Sequence, residues 1–293
     1  MNHFVVFILK GFAWLPLPVL YVTADLFYFL LKNVIQYRSA VITDNLGNAF
    51  PEKTEKEIKN LKNRFYRYFC DVFFESLKLY HMSASQMKKR VTFKGVDELN
   101  RFAEKGKGVL VLAYHHQNWE WGSYLQTLSK HRVLMVYNKM RNNPPMDDFL
   151  LRAREQWGGQ GVQMGRAAKV AFDLEKQKIP ALLGLVADQS ALPDQGIWTM
   201  FFNREAAFFP GPEKIARKTN QPVFFQRVRR VARGRYEYEF KLMVEEPAKA
   251  SPYEILRLYV RNMEEVIREE PAYYLWSHRR WKYKRPADIP LTV

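Results

Sequence analysis

The chain has 293 residues, 47% hydrophobic and 15% aromatic, which is length enough for one large α/β domain or two modest ones and excludes a disordered or low-complexity chain. Lys and Arg number 46 against 30 Asp and Glu, a formal charge of +16 that calls for an anionic partner: nucleic acid, an anionic membrane face, a phosphorylated substrate or an acidic carrier protein. The single cysteine, Cys70, excludes an internal disulfide framework, and its aromatic helical surroundings mark it as a buried thiol rather than a nucleophile.

Residues 4–31, FVVFILKGFAWLPLPVLYVTADLFYFLL, are almost wholly apolar. The stretch 11–31 is long enough to span a bilayer, which takes about 20 apolar residues. Pro16, Pro18 and Asp25 argue against a clean lipid-exposed span. The run also continues past the small-residue patch 22–24, which a cleavable signal peptide would not do. Residues 1–32 therefore read as an interfacial or partly inserted helical anchor. Lys32 and Arg38 behind it place the body on the cytoplasmic face of the inner membrane.

Residues 33–90 read as a helical region. Thr54 followed by Glu57 forms a capping box, and Ile58, Leu61, Phe65, Tyr68, Phe69 and Val72 recur at helical spacing, predicting a helix over 54–79. Residues 91–293 read as one α/β domain. The run 109–114 follows the turn Gly106-Lys107-Gly108 and predicts a buried strand. Further strands are expected at 133–137, 181–187, 223–231 and 236–244, the last two joined by a hairpin around 232–235. Helices are expected at 118–128, 146–156, 166–177, 212–219 and 252–269. Strands alternating with helices give a mixed α/β sheet.

Candidate chemistry lies where the first strand ends, at His115-His116-Gln117-Asn118-Trp119-Glu120. Active sites of open α/β sheets collect at the carboxyl ends of strands. A carboxylate five residues after His115 can accept a hydrogen bond from one imidazole nitrogen and leave the other to take a proton from a substrate hydroxyl. This is triad logic with the nucleophile supplied by substrate. Asp188 and Gln189 end another apolar strand at the same sheet edge. Arg141, Arg152, Arg154, Arg166 and Lys169 are candidate phosphate or oxyanion contacts, against the plainer role of solvated surface cations. The basic aromatic block 279–285 suits single-stranded nucleic acid or a membrane interface equally.

An ordered set of motifs resembles the lauroyl/myristoyl acyltransferases of lipid A biosynthesis, within the lysophospholipid and glycerol-3-phosphate acyltransferase group. The N-terminal apolar helix is followed by Asp44-Asn45-Leu46-Gly47-Asn48-Ala49-Phe50-Pro51 and an aromatic helix at 64–79. The His-x4-Glu motif ends in Asn118-Trp119-Glu120. Val136-Tyr137, Asn143-Pro144, Ala187-Asp188-Gln189, Gly196, Phe201-Phe202 and Ala206 come next. Tyr274-Leu275-Trp276-Ser277-His278-Arg279-Arg280-Trp281-Lys282 closes the series.

The resemblance implies a glycerol-3-phosphate acyltransferase-like fold with His115 as general base and Glu120 as its orienting partner. The residues expected to contact substrate are Asn118, Tyr137, Lys139, Arg154, Arg166, Asp188 and Gln189. The resemblance further implies an acyl thioester co-substrate, most simply acyl-acyl carrier protein, and a hydroxyl on a membrane lipid as acceptor. No metal or cofactor is called for, and no nucleic acid. Two positions depart from the family pattern: Asn138 follows Tyr137 where a basic residue is usual, and His116 follows His115 where an apolar or aromatic one is. Both bear on which lipid is accepted, and leave other glycolipids or aminolipids and a coenzyme A donor as alternatives. The readings from other classes are a nucleic-acid-binding protein and a catalytically inactive membrane-surface protein.

Overall fold

The computed structural model describes residues 2–292. The apolar N-terminal run divides at its prolines. Helix α1 (Asn2–Trp14) stops short of Pro16, which is extended ahead of α2 (Leu17–Phe29), and α2 passes into a π-helical turn, Leu30–Val34. Proline lacks the amide proton a helix interior needs, so both prolines sit at the start of the second helix instead of inside one long helix. Leu17–Val34 is the one helix among the described residues long and apolar enough to cross a membrane, by length and composition only.

After α3 (Ser39–Ala49) comes α4 (Glu55–Leu79), opened by the expected capping box: the Thr54 hydroxyl accepts the Glu57 amide at 3.3 Å and the Glu57 carboxylate accepts the Thr54 amide at 2.8 Å. Its stripe of Ile58, Leu61, Phe65, Tyr68 and Val72 is buried, and so is Cys70, whose thiol is pushed up to about 12 by burial. Helix α5 (Ala84–Lys88), strand β1 (Val91–Lys94) and helix α6 (Val96–Glu104) lead into β2 (Val109–Ala113). The chain continues through β3 (Arg132–Tyr137), α7 (Pro144–Glu155), β4 (Gln160–Gln163), α8 (Ala167–Lys176), β5 (Ala181–Val186), β6 (Ile197–Phe201), β7 (Arg204–Phe208) and α9 (Gly211–Thr219). It ends with β8 (Val223–Ala232), β9 (Arg235–Val244), α10 (Glu254–Glu269) and β10 (Leu291–Thr292). The helix expected at 118–128 is instead a 3-10 helix, Glu120–Thr127.

The large sheet has the order β1-β9-β8-β2-β5-β3-β4, parallel throughout except for the β8–β9 hairpin. A second sheet, β10-β6-β7, lies apart. Strand β2 is central and every residue in it is buried, because helices cover both faces. Leu110 and Leu112 join one core with α8, α9 and α10, while Val109 and Val111 join the other with α4 and α6. That two-sided burial is why its sequence is apolar without alternation.

The N-terminal helices belong to this second core. Val6, Leu17, Leu20 and Ala24 pack with Phe74 and Leu77 of α4. Asp25 is neutralised by Arg233 at 2.9 Å, which also reaches Asp71 at 2.6 Å. The opposite faces are bare: Phe7, Trp14 and Val22 are 73%, 71% and 72% exposed. Cutting the chain at residue 32 would therefore remove that bare face and uncover the core of α4 together.

Candidate active site

Strands β2 and β5 are parallel neighbours with Ala113 opposite Val186. Residues two beyond each end, His115 and Asp188, consequently fall side by side at the carboxyl edge. The His115 ring places Nδ1 2.7 Å from the Asp188 carboxylate, and the other carboxylate oxygen accepts the His115 amide at 3.2 Å. An ionised carboxylate only accepts, so Nδ1 carries the proton and Nε2 is left basic. Trp119 packs edge-on against the imidazole, 4.8 Å between centroids.

The loop that holds His115 is strained and firmly tied. Gln117 sits at φ 54°, the left-handed region, at a cost of about 1–3 kcal/mol for a residue with a side chain. Its amide donates to the Tyr273 carbonyl at 2.9 Å, its carbonyl accepts the Tyr68 hydroxyl at 2.9 Å, and its side chain donates to Glu270 at 2.7 Å. The turn aims His115 into a cavity and His116 back into the core, where only 1% of it is exposed. Burial drives the His116 imidazole down to about 3, so it stays neutral.

Burial also presses His115 toward its neutral form, but the charge and hydrogen bond of Asp188, aided by Glu120, outweigh it and raise its pKa. Asp188 is buried too, and that alone would raise it; the bond to His115 instead holds it below the usual carboxylate range.

The hydrogen bond expected from Glu120 to His115 is not formed. The 3-10 helix turns Glu120 toward α7, where Arg154 grips it with two bonds of 2.7 and 2.6 Å. Burial opposes ionisation of Glu120, but Arg154 outweighs it and keeps the carboxyl low. The partner that sequence proximity pointed to is replaced by one 73 residues away, brought in by strand pairing.

A cavity of about 910 Å³ opens beside the pair, near the upper end of the range of roughly 300–1,000 Å³ for small-molecule sites. Its wall is largely apolar, with Val133, Met135, Leu150 and Leu182 among the lining residues, while His115, Glu120 and Arg154 supply polar groups. Tyr137 and Gln189 also line it.

Other expected contacts fall elsewhere. Asn118 is fully buried and donates to Glu75 at 2.7 Å, so it supports the loop and does not face the cavity. Lys139 and Arg166 are exposed and outside the lining. Arg152 and Lys169 make surface pairs with Asp148 and Asp173 one helical turn away. Trp119 and Glu75 had no separate signal in the sequence, beyond their membership of the His115 motif and the aromatic helix.

The family described as bacterial lipid A biosynthesis acyltransferase matches residues 1–283. A lipid A biosynthesis acyltransferase of Haemophilus influenzae is 21% identical over 79% of this chain and 72% of its own length. A lipid A biosynthesis palmitoleoyltransferase of Escherichia coli K12 and a lipid A biosynthesis acyltransferase of Shigella flexneri are each 22% identical over 97% of this chain and 92% of theirs. With a histidine braced by a carboxylate at the mouth of an apolar cavity and a family match across nearly its full length, the chain belongs to the bacterial lipid A biosynthesis acyltransferase family and is an acyltransferase.

Proposed function

We propose that this acyltransferase moves a fatty acyl chain from an acyl thioester, acyl-acyl carrier protein, to a hydroxyl of a lipid A precursor at the cytoplasmic face of the inner membrane. The observation that carries the reading is the His115–Asp188 pair opening onto the apolar cavity. His115 Nε2 takes the proton of the acceptor hydroxyl as its oxygen bonds to the thioester carbon. The resulting imidazolium is stabilised by Asp188. Collapse of the tetrahedral intermediate breaks the carbon–sulfur bond, and the departing thiolate takes the proton from Nε2. The Arg154 guanidinium, held by Glu120 in the cavity wall, supplies positive charge for the developing oxyanion. The apolar wall suits the acyl chain. The relatives' names place them in lipid A biosynthesis, and of the two positions here that depart from the family pattern, His116 is in the core and Asn138 is at the cavity. Asn138 is thus the departure placed to affect acceptor choice.

The test is transfer of a labelled acyl group by purified protein to a lipid A precursor, with carrier protein and coenzyme A donors side by side. Carrier-donor kcat/KM should fall steeply from low to physiological salt, as charge-steered encounters do. The docking cations cannot include Arg230, Arg233 or Arg280: Arg230 and Arg233 hold Asp71, and Arg280 is buried over the Phe208 ring at 3.9 Å. Reversal of exposed Arg235, Lys282 and Lys284 should mimic the salt effect. A salt-insensitive rate with preference for coenzyme A would overturn the donor, and transfer only to a different hydroxylated lipid would overturn the acceptor.

Membrane attachment rests on the bare face of α1 and α2. Phe7→Asp, Val22→Asp and Leu26→Asp together should shift the protein from sedimenting with anionic vesicles to the supernatant, since each apolar side chain withdrawn from water contributes about 1.5–3 kcal/mol. All three are exposed, so the melting temperature should hold. A triple variant that still sediments in high salt would place the anchor elsewhere.

A further inference from the structure

Glu75 lies in the last two turns of α4 and is wholly buried. Three side-chain donors surround its carboxylate. The Tyr21 hydroxyl from α2 reaches one oxygen at 2.7 Å, and the Asn118 amide and the Tyr236 hydroxyl each reach the other at 2.7 Å. The Glu75 carbonyl also accepts the Trp121 indole N–H at 3.0 Å. Asn118 passes the order on: its side-chain oxygen accepts the Trp121 amide at 3.1 Å, and its carbonyl accepts the Tyr238 hydroxyl. A single carboxylate thus fixes the chain at Asn118 and Trp121, immediately after His115 and beside cavity-lining Trp119 and Glu120.

Packing alone does not account for this arrangement. A buried carboxyl costs several kcal/mol in desolvation, and a well-fitted apolar residue would serve stability equally well or better. Burial raises the Glu75 pKa, and the hydroxyls of Tyr236 and Tyr21 work against that rise. What the carboxyl supplies is direction, because its partners come from three separate parts of the chain. One of these is the loop that carries His115. Another is the apolar helix whose far face is bare. Arg233 stacks over the Tyr21 ring at 4.4 Å, and a side chain at Gly234 would collide with the Tyr21 hydroxyl, so α2 is held at this point from both sides.

We infer that Glu75 is a positioning residue for acyl transfer, tying the His115 loop to α2 through Tyr21 and Asn118, so that the seating of the apolar helix sets the geometry of the catalytic loop. The inference rests on His115 being the proton acceptor.

The test uses the purified full-length chain in lipid vesicles. Tyr21→Phe keeps the ring and its stacking with Arg233 and removes one hydrogen bond. Glu75→Gln keeps the shape and halves the accepting oxygens. Both should lower kcat by about 10- to 100-fold, the scale of a sub-ångström to ångström misplacement of a catalytic group, with KM for donor and acceptor unchanged. Tyr21→Phe combined with Asn118→Ala should cost less than the sum of the two single changes, since both act through one carboxylate. Should Glu75→Gln fail to fold, Tyr21→Phe carries the test alone. Wild-type kcat in a folded Tyr21→Phe, or a lowered melting temperature with kcat intact, would reduce Glu75 to a structural role and overturn the inference. His115→Ala is run beside them: if it keeps turnover, the proton-acceptor reading and this inference fall together, and if it is inactive while Tyr21→Phe is not, only this inference falls.

Discussion

Replacing His115 with alanine should lower kcat/KM for acyl transfer by about 10²–10⁴-fold, the range for loss of a positioned general base. The side chain is 15% exposed and faces the cavity, so its removal leaves the core intact and the melting temperature should change little. His116→Ala provides the internal contrast. Its ring is buried against Tyr114, 5.3 Å between centroids, and burial keeps it neutral throughout the physiological range. That variant should lose stability through a cavity, with turnover per folded molecule largely kept. Labelled-acyl kinetics and thermal melts on both proteins separate the two outcomes. Full activity in His115→Ala would remove the base from the account.

The second large effect is expected at Asp188. Asparagine there keeps the size of the side chain but offers an amide in place of the charge. The tautomer with the proton on Nδ1 is then no longer enforced, and the imidazolium formed during attack loses its counter-charge. Loss of this kind costs about 10⁴-fold in kcat in the well-studied serine protease triad. Glu120→Gln should behave differently. The His115–Asp188 bond survives, and what changes is the hold on Arg154, whose two bonds to Glu120 keep it in the cavity wall. Measured kcat for the two variants should therefore rank Asp188→Asn below Glu120→Gln, and the reverse ranking would return the orienting role to Glu120.

Much of the frame was legible in the sequence because its signals are local. The capping box at Thr54, the aromatic stripe of α4 and the continuous apolar run of β2 each depend on residues within a few positions of one another. The short strands were not legible. β4 (Gln160–Gln163) is polar at its ends, and β6 and β7 are five residues each, too brief to set up a period. The same distinction divides the site. His115 announces itself by its place after a buried strand. Proximity in sequence points to Glu120 as its partner, although a parallel sheet makes its side-by-side contacts between residues far apart in the chain. The 73-residue separation of His115 and Asp188 is the ordinary consequence of β2 pairing with β5. Asn118 shows the opposite error. A polar residue inside a catalytic motif looks like a substrate contact, yet its side chain is spent on Glu75 and Trp121.

The pH dependence of kcat/KM in the wild type and in Asp188→Asn decides whether His115 and Asp188 form the proton-accepting pair. A general base must be neutral to act, so activity rises with pH through the His115 pKa. In the wild type burial lowers that pKa, but Asp188 and then Glu120 more than offset it, and the acidic limb should lie above the ordinary value of 6.5. Without the Asp188 charge burial becomes the leading influence, and the limb should move below 6.5 while the plateau falls. Acidic limbs that coincide in the two proteins, or a limb that moves upward in the variant, would contradict the assignment of His115 and Asp188 as the proton-accepting pair.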